Sequence, residues 1–431
     1  MQKSRITVFF VLFILHLQYL TAQTSDLQLS ELLNKQDYWA LNEQYPLLKK
    51  QASRQFQLYT EAMLNHFFNK PEQSNENIQE ILTDYPDWLP IEVQNYLALT
   101  VAANALNMQD YAKAASIYGQ YIEQMESYLD SSSMAAYKSA YKLYKSLENT
   151  PPISVVYGQK QTNIPLSKDT FGLLTLPVMI GKEKSNMLNF TLDFGASLSV
   201  IEEKYVDGIN IRILSDSISI NNPYGSFDGY TKFGVAEEIY LGDILVKNVI
   251  FIIYPDRIID VYPENEMNAI LGLPILQALE NLQISSTVLS VSSVSKPSKF
   301  KPNMLIFNSS LFVHAKSSKN KSLRMHFDSG SDDSHLNKNY LSENQEDVGH
   351  FIADSIHKAA LGGIQKIGIL KMPHFSCKIG NKKLHFSSMY IEMADYLSGY
   401  FPIDGVLGLD LITQHKKVIV IDFKNMYFQI K

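Results

Sequence analysis

Two short passages carry an acid in matching company. The first reads Phe190-Thr-Leu-Asp193-Phe-Gly195-Ala-Ser197-Leu-Ser-Val-Ile201. The second reads Met325-His-Phe-Asp328-Ser-Gly330-Ser-Asp332-Asp-Ser-His-Leu336. In each, an apolar run enters Asp-x-Gly. Further on come Ala269-Ile-Leu-Gly272 and Gly405-Val-Leu-Gly408. Gly272 follows Asp193 by 79 residues (272 − 193), and Gly408 follows Asp328 by 80 (408 − 328). One strand–Asp–Gly element is common; two with matching downstream partners point to an internal duplication. Two carboxylates brought together supply general acid–base chemistry, one taking a proton from water while the other gives one. The plain alternative is a pair of turn-stabilising acids in a β protein.

Other chemistries find less support. The net charge of -6 gives no general grip on nucleic acid. Cys377 stands alone, so neither an intrachain disulfide nor a cysteine-rich zinc site can form; it reads as a buried structural thiol. No Gly-x-Ser-x-Gly element occurs. Asp193-Phe-Gly also spells a kinase metal-binding triplet, but no Gly-rich loop with a strand lysine and no His-Arg-Asp precede it. The run from Asp328 begins like a calcium loop, yet its glycine is misplaced and Asn339 holds the twelfth position. The ten histidines, His326 and His335 included, show no metal-like spacing. No metal and no cofactor are expected.

The acids sit in a chain whose texture changes at Pro151-Pro152. Beyond that point Val, Ile, Phe, Tyr, Gly and Ser dominate in short runs, which read as strands. After Gly272 and Gly408 each copy continues into a short helical stretch and a hairpin, the second turning at Lys424-Asn425. The segment Tyr224-Gly-Ser-Phe-Asp-Gly-Tyr230 has the glycine and aromatic content of a hairpin tip. Before Pro151, apolar residues recur at helical spacing: Tyr111, Ala114, Ala115, Tyr118, Ile122 and Met125 share one face behind a candidate N-cap, Asp110. Further helices are expected near 52–68, 73–85, 90–106 and 133–147. The stretch from Ala105 to Tyr118 resembles part of a tetratricopeptide unit, and a protein partner could bind there; a helical cap is the alternative. Residues 23–150 carry a net charge of -7 and residues 151–431 only -1. The N-terminus has Lys3 and Arg5, then an apolar run from Ile6 to about Leu17, then Ala22. That describes a secretory signal peptide cut after Ala22 and an exported, periplasmic or extracellular chain with no membrane span after signal cleavage. The expected division is 1–22 signal, 23–150 helical domain, and two β lobes, 151–298 and 299–431. Lys296-Pro-Ser-Lys299 between the lobes is a candidate site for a proteolytic nick.

The paired Asp-x-Gly passages and their downstream glycines resemble the aspartic peptidases, both retropepsin-like and pepsin-like, over about 170–431. The resemblance implies an all-β bilobal acid-protease fold of two pseudo-symmetric, barrel-like lobes, here preceded by an all-α helical-hairpin domain. It implies a monomer, since both lobes lie in one chain, and a polypeptide substrate. Asp193 and Asp328 would be the catalytic dyad, Gly195 and Gly330 would shape the turns, and Tyr230 would cover the substrate from a flap. Two facing carboxylates cannot both ionise, so they share one proton. The chain departs from the family pattern in two places. Phe194 replaces the expected Thr or Ser after the first Asp, whereas Ser329 is kept in the second copy. Asp332 replaces the hydroxyl that Ser197 supplies in the first. Ser197 is expected to favour charge on Asp193, and Asp332 with Asp333 to disfavour charge on Asp328. These departures leave a second reading, a bilobal module that binds extended peptide without cutting it.

Overall fold

The computed structural model describes residues 24–214, 218–221, 228–255, 269–294, 300–344, 351–360, 363–394 and 401–431. The signal segment with its cut after Ala22, the stretch from Tyr224 to Phe227, the lobe boundary at 298/299 and the candidate nick site at 296–299 lie outside the described residues. The chain forms two compact units that divide between Asn149 and Thr150.

Among the described residues the first unit has seven α-helices: Thr24–Asn34, Tyr38–Leu48, Arg54–Phe67, Pro71–Asp84, Ile91–Asn107, Tyr111–Met125 and Ser131–Leu147. Their starts follow from local chemistry. Asp110 accepts from the Lys113 amide at 3.0 Å and Asp130 from that of Ser133 at 2.8 Å, each satisfying an otherwise orphaned donor. Pro71 occupies a first-turn position, where its missing N–H costs nothing. Leu58, Ala62, Met63, Ile78, Ile81, Leu97 and Ala105 are buried and form the unit's core. The first two helices were not located by periodicity. Each has only 11 residues, and the second contains Pro46, so packing rather than propensity holds them.

The second unit is built of strands in two halves. In the first half Leu174–Ile180, Met187–Leu192, Ala269–Leu271, Ser199–Glu202, Ile244–Tyr254 and Asp228–Leu241 pair in that order, and the last pairs back onto the first. Six strands thus close into a barrel around Val178, Phe190, Ile239, Val246 and Phe251, all fully buried. The second half is a ten-stranded sheet whose pairings, among the described residues, run as an open path. The expectation of two barrel-like lobes therefore holds in closed form only for the first.

The duplication is visible in the pairing itself. The short strand Ala269–Leu271 lies between Met187–Leu192, which it parallels, and Ser199–Glu202, which it opposes. Gly405–Leu407 lies in the same way between Ser322–Phe327 and His335–Asn337. The two hairpins after these strands join each other. Asn281–Ile284 pairs antiparallel with Ile419–Asp422 inside a five-stranded sheet that both halves share.

Candidate active site

Asp193 and Asp328 each follow the last residue of a strand, and each turn is tied down by the same four bonds. The amide of Asp193 donates to Leu271 O at 3.1 Å, and that of Asp328 to Leu407 O at 3.0 Å. The Gly195 and Gly330 amides donate back to Asp193 Oδ1 and Asp328 Oδ1 at 2.8 and 2.9 Å. Leu273 N reaches Ala196 O at 2.9 Å, and Leu409 N reaches Ser331 O at 2.8 Å. Gly272 N donates to Ser199 Oγ at 3.0 Å, and Gly408 N to Ser334 Oγ at 2.9 Å. The contacts match one for one, with equal offsets inside the two turns and a one-residue difference to the downstream strand, and define a pseudo-twofold relation between the turns.

That relation brings the carboxylates together. A Cβ on Gly330 would stand 2.6 Å from Asp193 Oδ2, and one on Gly195 would collide with the Asp328 carboxylate. Each acid therefore rests over the other turn's glycine, and only glycine leaves it that space. Burial, and then the charge of Asp328, push the Asp193 carboxyl up to about 8, while the amides of Gly195 and Ala196 pull the other way. This is the behaviour of facing carboxylates that hold one proton between them.

The raised value belongs to the pair, which holds one proton between two facing acids. Ser197 is solvent-exposed, and the amides of Gly195 and Ala196 are the donors at Asp193. The hydroxyls that brace the turns are Ser199 and Ser334, each six residues after its Asp. The repeat of Ser at that offset was legible and went unused. Ser334 also donates to the buried Asp410 at 2.5 Å.

Ser329 does what the resemblance assigned to a pair of hydroxyls. It is 1% exposed, donates to Leu192 O at 2.7 Å and accepts from Phe194 N at 3.1 Å. Phe194 crosses the opposite way with its ring. It is fully buried, 5.2 Å from Phe327, which in turn meets Phe428 edge-on at 5.0 Å. Leu192 and Phe327 are the residues that precede the two acids. One crossing is polar and the other aromatic, between equivalent positions.

Beside the second turn lies an acid–base network that the sequence reading did not foresee. His335 Nε2 is 3.2 Å from Glu392 Oε2, which also holds Lys358 Nζ at 2.8 Å. Tyr390 donates to Asp333 Oδ1 at 2.9 Å, and its ring stacks on His335 at 5.2 Å. Burial lowers His335, but Asp333 and Glu392 outweigh it and hold the imidazole above its ordinary range. Burial raises Asp333, but His335 and Tyr390 keep it below the usual carboxylate range. Asp332 is exposed, and burial of part of its surface and the charge of Asp333 push it upward. His326 is 5% exposed, stacks on Phe312 and has no hydrogen-bond partner for either ring nitrogen among the described residues.

The remaining expected residues are placed as follows. Tyr230 lies on the strand Asp228–Leu241, its backbone paired with Ser219. Cys377 is buried opposite Leu384, and burial pushes its thiol up to about 12. Among the described residues no group of three or more His, Cys, Asp or Glu is arranged to hold a metal ion, and no helix is long and apolar enough to cross a membrane.

No protein-family model matches the chain, and no curated protein matches it. Among solved structures, the chain is similar to a retropepsin-like aspartic protease from Rickettsia conorii. The identity is 14%, the match covers 33% of this chain and 95% of that one, and the TM-score is 0.23.

Proposed function

We propose that the β unit is an aspartic endopeptidase of bilobal acid-protease fold, with Asp193 and Asp328 as its dyad. The observation that carries this reading is the mutual seating of the two carboxylates over each other's turn glycines, with Asp193 raised by burial and by its partner. A dyad holding one proton can act twice. The ionised carboxylate takes a proton from a water as its oxygen bonds to the peptide carbonyl carbon. The protonated carboxyl gives its proton to the carbonyl oxygen. The resulting tetrahedral diol then collapses: the C–N bond breaks, the leaving nitrogen receives the proton taken from water, and the diol hydroxyl returns the other to the dyad. Ser329 and Phe194 hold the two turns in register for this. The substrate is a polypeptide, the active form is a monomer, the helical unit offers a surface for a protein partner, and the basic–apolar–small N-terminus directs export.

The test is cleavage of an unfolded protein between about pH 3 and pH 8 and its inhibition by a statine-type mimic of the tetrahedral species. Activity is expected to fall as pH rises through about 8, where the pair loses its shared proton. Phe194 and Asp332 favour one alternative, a cleft that binds extended peptide without hydrolysing it. Correctly folded protein that binds the mimic but cuts nothing across that range would decide for it.

A further inference from the structure

The pseudo-twofold ties set residues of the two halves in correspondence: Ala196 with Ser331, Ser197 with Asp332, Leu198 with Asp333 and Val200 with His335. The strand pairings extend it outward. Ile252 pairs with Val200, and Ile253 with Ile201. Ile391 pairs with Leu336, so Tyr390 stands where Ile252 does and Glu392 where Tyr254 does. Equivalent positions flank the dyad on its two sides, and most of them differ in chemistry. Beside Asp193, Val200, Tyr254 and Ile270 are buried together, and the partly exposed Ala196 and Ile252 pack on them. Beside Asp328 the positions of Val200 and Tyr254 carry His335 and Glu392, those of Ala196 and Ile252 carry Ser331 and Tyr390, and that of Ile270 stays apolar as Val406.

Most of that charge is already matched. Glu392 is held by Lys358 and His335. Asp333 takes the Tyr390 hydroxyl, with His335 Nδ1 at 3.7 Å. Asp332 is different: it is exposed, and among the described residues no side chain is hydrogen-bonded or ion-paired to it, the charges of Lys358 and His335 acting on it without direct contact. Its counterpart Ser197 is neutral. The polar character continues inward, where the buried, hydrogen-bond-unpartnered His326 is paired with Val406, which is paired in turn with His335. Lys358 and His335 are both engaged by Glu392.

We propose that the cleft is chemically two-sided, with the half beside Asp193 taking apolar side chains and the half beside Asp328 taking a lysine or arginine side chain on Asp332. The proposal rests on the peptidase reading and names the substrate class of that same site. It is tested with one peptide series in which Lys, Ala or Glu is placed at single positions on either side of the scissile bond. At low salt and near-neutral pH, wild type is expected to favour Lys over Glu about tenfold in kcat/KM on one side of the bond only. Asp332→Asn brings that ratio to within about twofold, as loss of a single charge pair requires. The control Asp354→Asn makes the same charge change at an exposed ion pair with Lys371 and leaves the ratio intact. A wild-type ratio near one, or a ratio that survives Asp332→Asn, overturns the proposal. If wild type cuts none of the peptides, the peptidase reading fails separately. The ratio is then read from affinities of the same labelled peptides by fluorescence anisotropy, where equal affinities or no binding overturn this proposal as well.

Discussion

Ser329 joins the two turns through one hydroxyl, and a single-atom change isolates its contribution. Ser329→Ala leaves Leu192 O and Phe194 N without their partner in a site that is 1% exposed. Each such group costs about 1–3 kcal/mol when left unsatisfied. The variant is expected to lose about 2–4 kcal/mol by denaturant titration. Asp193 behaves in the opposite sense. Its folded-state pKa is raised, so between the ordinary carboxylate range and about 8 the folded chain binds more protons than the unfolded one, and stability falls as pH rises across that window. Asp193→Asn removes this penalty. Its melting temperature is expected to exceed that of wild type near pH 7 by several degrees, on the order of 1–3 kcal/mol, with the gap closing near pH 3. At this scale the two acids and two glycines were legible, because only those residue types suit a turn that seats a facing carboxylate. The donors at Asp193 were not, since the backbone amides of Gly195 and Ala196 carry no side-chain signature. Phe194 could be read as a lost hydroxyl but not as an aromatic crossing, because its partner Phe327 is 133 residues away (327 − 194).

The strands Ala269–Leu271 and Gly405–Leu407 each end against a loop that leaves no space for a side chain. A Cβ on Gly272 would stand 2.6 Å from the carbonyl carbon of Leu198, and one on Gly408 would collide with the Asp333 backbone. Backbone cannot rotate away as a side chain can, so an added methyl must displace the turn that carries the acid. Gly272→Ala and Gly408→Ala are each expected to lose at least about 2 kcal/mol, measured by thermal unfolding, with activity falling more than in proportion to the folded fraction. The element order of the duplication was readable, because both copies repeat strand, Asp-x-Gly, apolar-apolar-Gly and hairpin at matched spacing. What spacing cannot show is pairing between distant strands. The closure of the first half into a six-stranded barrel rests on Asp228–Leu241 bonding to two partners, and the network beside Asp328 needs strands at 335, 358 and 392 to meet. The helices at Thr24–Asn34 and Tyr38–Leu48 escaped for a different reason, being too short for periodicity to mark.

At the scale of the molecule, the β unit is a duplicated design held together by shared structure and made unequal by side chains. The antiparallel register Leu282↔Ile421 joins the halves in one sheet, and Ser329 and Phe194 join them at the dyad. The low net charge of residues 151–431 hides a local difference, with His335, Lys358 and Glu392 paired beside Asp328 and Val200, Tyr254 and Ile270 packed together beside Asp193. All of this serves one claim, that Asp193 and Asp328 together activate a water for peptide hydrolysis. The most direct measurement compares wild type, Asp193→Asn and Asp328→Asn, each shown to be folded by circular dichroism, for release of new N-termini from an unfolded protein at about pH 5. Wild type is expected to cleave, and each variant to be slower by at least about a thousandfold, because neither carboxylate can replace the other. Cleavage by either variant at the wild-type rate would contradict the account.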